Sequence, residues 1–146
     1  MTCNFTLHYL FESEEFLINS LNNISSRLKP NGYFIGTTID GDKLNLLNKP
    51  YFEKGNNFDN DEVFGKSYTF NLMDNKNSGN YFDKHINNDI EYKVSIKEFI
   101  KYANNAGLKM ITYKPFNEIK YDRSRFSPIE ELVSSLYSSF VFIKKN

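Results

Sequence analysis

The chain has 146 residues with 18 basic and 18 acidic side chains, no net charge and one cysteine. That length suits one domain able to bury a core, and the charge balance excludes the broad basic field of non-specific nucleic-acid binding, so any RNA contact must be local. A single cysteine excludes an internal disulfide and fits a reducing compartment.

No apolar run approaches the ~18 to 20 residues of a membrane span, and Met1–Leu10 has no basic segment followed by an apolar one. The expectation is an intracellular protein with no membrane partner. In chain order, residues 3 to 7 read as a buried strand that breaks into the polar aromatics His8 and Tyr9, and in open α/β sheets ligands sit at such carboxyl ends. Ser13, followed by Glu14 and Glu15, supplies a helix N-cap with acids in the first turn. Phe16, Leu17, Leu21, Ile24 and Leu28 then recur at helical spacing until Lys29-Pro-Asn-Gly32 ends the run. A second strand is expected over 33–38, a short helix over 42–47, and a loop or ragged hairpin over the polar stretch 48–62. Residues 67–72 alternate as a strand, and 75–88, rich in Asn, Lys and Asp, read as a flexible segment. Ser95-Ile-Lys-Glu98 has the form of a capping box, opening a helix over 96–106 that Gly107 closes. Strands over 108–113 and 140–144, with a short helix over 128–134 between them, complete a single domain spanning 1–146 without repeats or a linker.

Two ordered runs carry the strongest signal: Thr2-Cys-Asn-Phe-Thr-Leu-His-Tyr-Leu-Phe-Glu12, and Lys29-Pro-Asn-Gly-Tyr-Phe-Ile-Gly-Thr-Thr38 one helix later. Val63-Phe-Gly-Lys-Ser-Tyr-Thr-Phe-Asn-Leu72, Ile90-Glu-Tyr-Lys-Val94 and Leu136-Tyr-Ser-Ser-Phe-Val-Phe142 follow. Together they resemble the mRNA cap guanine-N7 methyltransferases, from end to end of this chain but only over that family's C-terminal half. The resemblance implies an α/β fold: a partial class I (Rossmann-like) methyltransferase sheet with an antiparallel C-terminal strand pair at one edge and an inserted β segment. It also implies S-adenosyl-L-methionine as methyl donor and the capped 5′ end of mRNA as partner. The family's glycine-rich cofactor turn and ribose-binding acid have no counterpart, since the seven glycines are scattered and none gives G-x-G. The expectation is therefore the C-terminal part of a cap methyltransferase domain, with a polypeptide partner supplying the N-terminal cofactor-binding part.

Guanine N7 carries an in-plane lone pair and no proton, so methyl transfer from a sulfonium needs alignment rather than a base. No catalytic acid, base or nucleophile is expected, and no spacing suggests a metal site. Glu91 matches the family's cap-contacting glutamate, and a carboxylate can accept from the N1 hydrogen and 2-amino group of guanine, a pair that adenine does not present. His8 matches the histidine facing the cap guanine and Tyr137 the late cap-site tyrosine. Tyr9 corresponds to a tyrosine near the cofactor, where an aromatic ring attracts a sulfonium, and Asn4 stands where the family has a glutamine touching the cofactor's adenine, one methylene shorter. Each has a plainer reading: Glu91 as a solvated acid, His8 as a structural histidine, Tyr9 as core. Ile39 replaces a family proline beside the cap, keeping an apolar surface but losing proline's fixed backbone.

Other signals are weaker. Asp40-Gly-Asp42 resembles the start of a calcium loop but lacks its glutamate, and Lys120, Arg123 and Arg125 form a small basic cluster that reads first as a solvated loop. Two other functions stay open: a class I methyltransferase acting on another RNA or small molecule, and a non-catalytic methyltransferase-like binding subunit. The Asn, Lys, Ile, Phe and Tyr usage is that of an AT-rich genome, protist or large DNA virus, so the expected location is the nucleus, or the cytoplasm if viral.

Overall fold

The computed structural model describes residues 1–70, 89–122 and 124–145. In chain order these form β1 (Thr2–Asn4), a 3-10 helix (Leu7–Glu12), α1 (Glu14–Arg27), β2 (Tyr33–Ile39), a 3-10 helix (Gly41–Leu46), β3 (Phe52–Lys54), β4 (Ser67–Phe70), β5 (Ile90–Tyr92), α2 (Ile96–Asn105), β6 (Leu108–Pro115), a 3-10 turn (Phe116–Glu118), α3 (Pro128–Ser135) and β7 (Tyr137–Lys144). The flexible segment expected over 75–88 lies outside the described residues.

The helices begin where their caps predict. Ser13 Oγ accepts the Phe16 N–H at 3.2 Å, and Ser95 Oγ accepts that of Glu98 at 3.4 Å. At the other end of α1 the carbonyls of Ser25 and Leu28 accept from Lys144 Nζ at 2.7 and 2.8 Å, so the last strand closes the first helix. Gly107, at φ +81, turns the chain out of α2 into β6.

Four strands form the main sheet in the order β1-β2-β7-β6, with β1 parallel to β2 and the other pairs antiparallel. This is the expected mixed sheet with an antiparallel C-terminal pair at one edge. Strands β3-β4-β5 make a second, antiparallel sheet, the inserted segment. Alternation along β2 sends Phe34 inward and Tyr33 and Ile35 outward. On the inner face Phe140 and Phe142 each meet Phe99 of α2 at 5.2 Å between ring centroids, with Leu17, Leu21 and Ala103 in the same buried cluster. The outer face leaves Tyr33 54% and Ile35 41% exposed.

The strand expected over 3–7 stops at Asn4. Phe5 N–H still donates to Thr37 O at 3.1 Å, but Phe5 then takes a left-handed φ of 54, which ends the ladder and winds 7–12 into a 3-10 helix. The driving force is burial: the wound turn places Leu7 and Phe11 wholly inside, where a continued strand would send alternate residues outward. At the other end β7 begins at Tyr137 rather than 140, because residues 137–143 find partners all along β2.

Gly36 is where β2, β1 and the core meet most closely. A Cβ there would lie 1.9 Å from Cys3 O and 2.6 Å from Phe140 Cζ. Gly36→Ala should therefore cost about 1 to 3 kcal/mol of stability, read as a lower urea midpoint, with faster amide exchange at Phe5 as β1 loosens.

Candidate functional site

The wound turn after β1 aims its first residues at the inserted sheet. His8 is buried, 6% exposed, and its Nε2 lies 3.8 Å from Glu91 Oε1. That nitrogen has no hydrogen-bond partner among the described residues. Burial pushes the His8 pKa down from 6.5 to about 4, so near neutrality the imidazole is uncharged and the approach to Glu91 is not an ion pair.

Glu91 is held from the opposite side. It faces Tyr68 in the antiparallel β4–β5 ladder, and the Tyr68 hydroxyl donates to its Oε2 at 2.7 Å. Burial raises the Glu91 carboxyl above the usual range, the Tyr68 hydrogen bond opposes this, and neighbouring Asp89 adds to it. The inserted sheet is anchored near the end of β2 by Gly41, whose N–H donates to Val94 O at 3.1 Å, with room for no side chain: a Cβ would sit 2.4 Å from that oxygen.

Tyr137 enters from the third side. As the first residue of β7 it lies opposite Ile39, its ring 5.3 Å edge-on from Phe5 and 6.2 Å from Phe116. Burial, then the charge of Glu91, holds its phenol well above 10. Tyr9 leans on His8 with ring centroids 4.2 Å apart and stays 41% exposed, its phenol raised by partial burial and by Glu91 and Asp89. His8, Tyr9, Glu91 and Tyr137 thus come together, from elements far apart in sequence. Asn4 does not join them: it ends β1, exposed, opposite Thr37, and its side chain makes no hydrogen bond among the described residues. Ile39 is buried in the core opposite Tyr137, so the apolar surface expected of it beside the cap is not presented to a ligand.

Sequence reasoning assigned no role to Tyr68, although it stands in the Val63–Leu72 run. The available signal was register: strands of period two on either side of 75–88 can set Tyr68 opposite Glu91. The Asp40-Gly-Asp42 segment proves to be a turn, in which Asp40 Oδ1 accepts the Asp42 N–H at 3.1 Å while Asp42 pairs with Lys93 at 3.2 Å. Lys120 and Arg125 are exposed, and Arg123 and His85 lie outside the described residues. Among the described residues no group of three or more His, Cys, Asp or Glu could hold a metal, and no helix is long and apolar enough to cross a membrane.

The arrangement offers, side by side, a neutral imidazole nitrogen and a carboxylate, flanked by aromatic rings. Such a set can grip a planar heterocycle by an edge that presents an acceptor next to donors. Residues 1–141 match the family model of the mRNA (guanine-N(7))-methyltransferase domain. The chain is 32% identical to the mRNA cap guanine-N(7) methyltransferase of Candida glabrata, over 88% of this chain and 34% of that one. It is 31% identical to that of Saccharomyces cerevisiae, over 88% and 33%. The chain therefore spans about a third of the length of these relatives. Among solved structures, an S-adenosylmethionine-dependent methyltransferase from Mesorhizobium loti superposes with a TM-score of 0.57 at 10% identity, covering 98% of this chain and 60% of that one. One from Clostridium acetobutylicum does so at 0.54 and 15%, covering 99% and 57%. Both share the fold.

The buried imidazole has a measurable consequence. Below 6.5 an unfolded chain protonates His8, whereas the folded chain resists until about 4. The stability due to the neutral ring is present above 6.5 and lost as pH falls toward 4, a total of about 3 kcal/mol. Glu91, with its raised pKa, has the opposite sign and offsets part of this loss. The denaturation midpoint should fall between pH 6.5 and about 5, above most carboxylate titrations, and His8→Gln should flatten that segment.

Proposed function

The chain belongs to the mRNA (guanine-N(7))-methyltransferase domain family, and on that premise we propose that it forms the cap-holding part of an enzyme transferring methyl from S-adenosylmethionine to N7 of the guanosine cap. The observation that carries this reading is the juxtaposition of His8 Nε2 with the Glu91 carboxylate, 3.8 Å apart, in a buried corner. Glu91 accepts from guanine N1–H and its 2-amino group, while neutral His8, whose Nε2 is closed to solvent in this structure, donates to O6 once entry of the base uncovers it, giving that nitrogen the partner it lacks among the described residues. Adenine, with an amino group where guanine has O6 and no hydrogen on N1, is refused at both contacts. Tyr137 and Phe5 offer apolar ring surface beside the base. N7, on the opposite edge from Glu91, keeps its lone pair free, and no residue of this chain needs to move a proton.

The methyl donor fits the exposed aromatic surface at the carboxyl end of β1. Tyr9, 41% exposed, and Phe5, 51% exposed, present rings to it; Tyr9 would face the donor's sulfonium, and Asn4 the adenine. Bound S-adenosylmethionine supplies an electrophilic methyl group, and the chain's own residues fix the guanine so that N7 meets it. The rest of the donor site belongs to a polypeptide partner or to further sequence joined to this one. The outer side of β1, unpaired among the described residues, and the outward Tyr33 and Ile35 support that reading, being a sheet edge and face suited to further strands and helices. Action on capped transcripts places the protein in the nucleus, or in the cytoplasm for a virus that transcribes there.

Residues 1–146 alone should bind S-adenosylmethionine more weakly than micromolar; calorimetry showing micromolar affinity would overturn the division of labour. In an assembled enzyme, Glu91→Gln removes the charge and sets a donor against a guanine donor, at about 1.5 to 3 kcal/mol for each lost charge-assisted bond. Methylation of capped RNA should fall by roughly one to two powers of ten with cofactor affinity kept, whereas Tyr9→Ala should chiefly raise the KM for S-adenosylmethionine. Parent-like methylation by Glu91→Gln would remove the cap assignment in favour of another substrate.

A further inference from the structure

Among the described residues, the carboxylate at the centre of the site has no cation of its own. The groups facing Glu91 are His8 and Tyr9 from the 3-10 helix, Tyr68 from β4 and Tyr137 from β7, with Asp89 on its own segment. Lys93, the nearest lysine in sequence, is engaged with Asp42 at 3.2 Å and lies over the Phe58 ring. Glu91 nevertheless has a side chain only 16% exposed. A carboxylate in such surroundings tends to take up a proton and, if unsupported, to rotate about its last torsion. Either event spoils guanine recognition: a protonated carboxyl turns an O–H toward guanine's donors, and a rotated one no longer offers both oxygens to them.

Among the described residues, one group opposes both. Tyr68 is 1% exposed, its ring set among Phe52 at 5.6 Å and Phe58 at 6.3 Å, so the hydroxyl has little freedom to swing. It donates to Oε2, while Oε1 is the oxygen beside His8. We infer that Tyr68 is a positioning residue for guanine recognition: its hydroxyl holds the Glu91 carboxylate charged and in the plane that receives the N1 and 2-amino hydrogens. Tyr68 does not touch the base; it acts through Glu91, and the inference rests on the role proposed for Glu91 above. One lone pair of Oε2 is spent on Tyr68, and the remaining acceptor capacity of the two oxygens suffices for two guanine donors. The inserted sheet then has a task beyond displaying Glu91, since β4 supplies the group that sets its charge and angle.

The test uses the chain assembled with its cofactor-binding part, capped RNA as substrate, and kcat/KM measured against pH. Tyr68→Phe keeps the ring and removes the O–H. It should lower kcat/KM for capped RNA about tenfold near neutrality and move the acid limb upward by about one pH unit, leaving the KM for S-adenosylmethionine unchanged. Added to Glu91→Gln it should cost little more, since the charge it supports is already gone. Phe52→Leu, in the same ring cluster but without contact to Glu91, should lower the melting temperature and leave the acid limb in place. Should Tyr68→Phe fail to fold, 3-fluorotyrosine at position 68, a stronger donor of the same shape, should move the limb downward. A limb that moves with neither substitution, while Glu91→Gln still loses activity, overturns the inference and leaves the Glu91 reading standing. So does a full Tyr68→Phe loss on top of Glu91→Gln. Parent-like activity of Glu91→Gln removes both readings together.

Discussion

The insertion of β7 between β2 and β6 is the constraint on which the site depends. Its ladder runs from Tyr33 opposite Ile143 to Ile39 opposite Tyr137 without a slip. That register buries Phe140 and Phe142 under α2, and a one-residue shift would turn both to the outer face. The same register delivers Tyr137 to the end of β2, beside the Gly41–Val94 hydrogen bond that tethers the inserted sheet. Core packing and site assembly are thus consequences of one strand pairing, and neither can be altered alone.

On the proposed function, the corner built there discriminates more than it adheres. An imidazole held neutral by burial, a carboxylate that accepts from a buried phenol, and aromatic rings beside them bring hydrogen-bonding groups and shape into one corner. With 18 basic and 18 acidic side chains the chain brings no general field to draw in RNA. On the proposed function, affinity for the rest of a transcript comes from elsewhere, and the corner contributes the choice of base.

Much of this was legible in the sequence. Ser13 and Ser95 announced two helices because a capping hydroxyl acts over three residues, and the antiparallel pair over 108–113 and 140–144 followed from the family pattern. The turn at Phe5 was hidden because a left-handed φ at a large aromatic residue has no local signal; burial of Leu7 and Phe11 imposes it from a distance. His8, Glu91, Tyr9 and Tyr137 were found by resemblance, and their convergence is a fact of topology that periodicity could not supply. Tyr68 stands in the Val63–Leu72 run with no local mark of a role, since its meaning lies wholly in the residue across the ladder. Asn4 shows the converse: it matched a pattern, yet its side chain stands apart from the cluster.

The bond from Lys144 to the carbonyls at the end of α1 joins positions more than a hundred residues apart. Together with the central place of β7 it sets an order of events during synthesis. β7 follows β2 only after α2, β6 and the whole inserted sheet, so β2 waits through the synthesis of all of these with one side unpaired and its helix uncapped. Loop closure over such a span is slow and leaves apolar surface open meanwhile. Until β7 arrives, the edge of β2 that faces away from β1 stays open, and Leu17, Leu21 and Phe99 lack the Phe140 and Phe142 rings that complete their cluster.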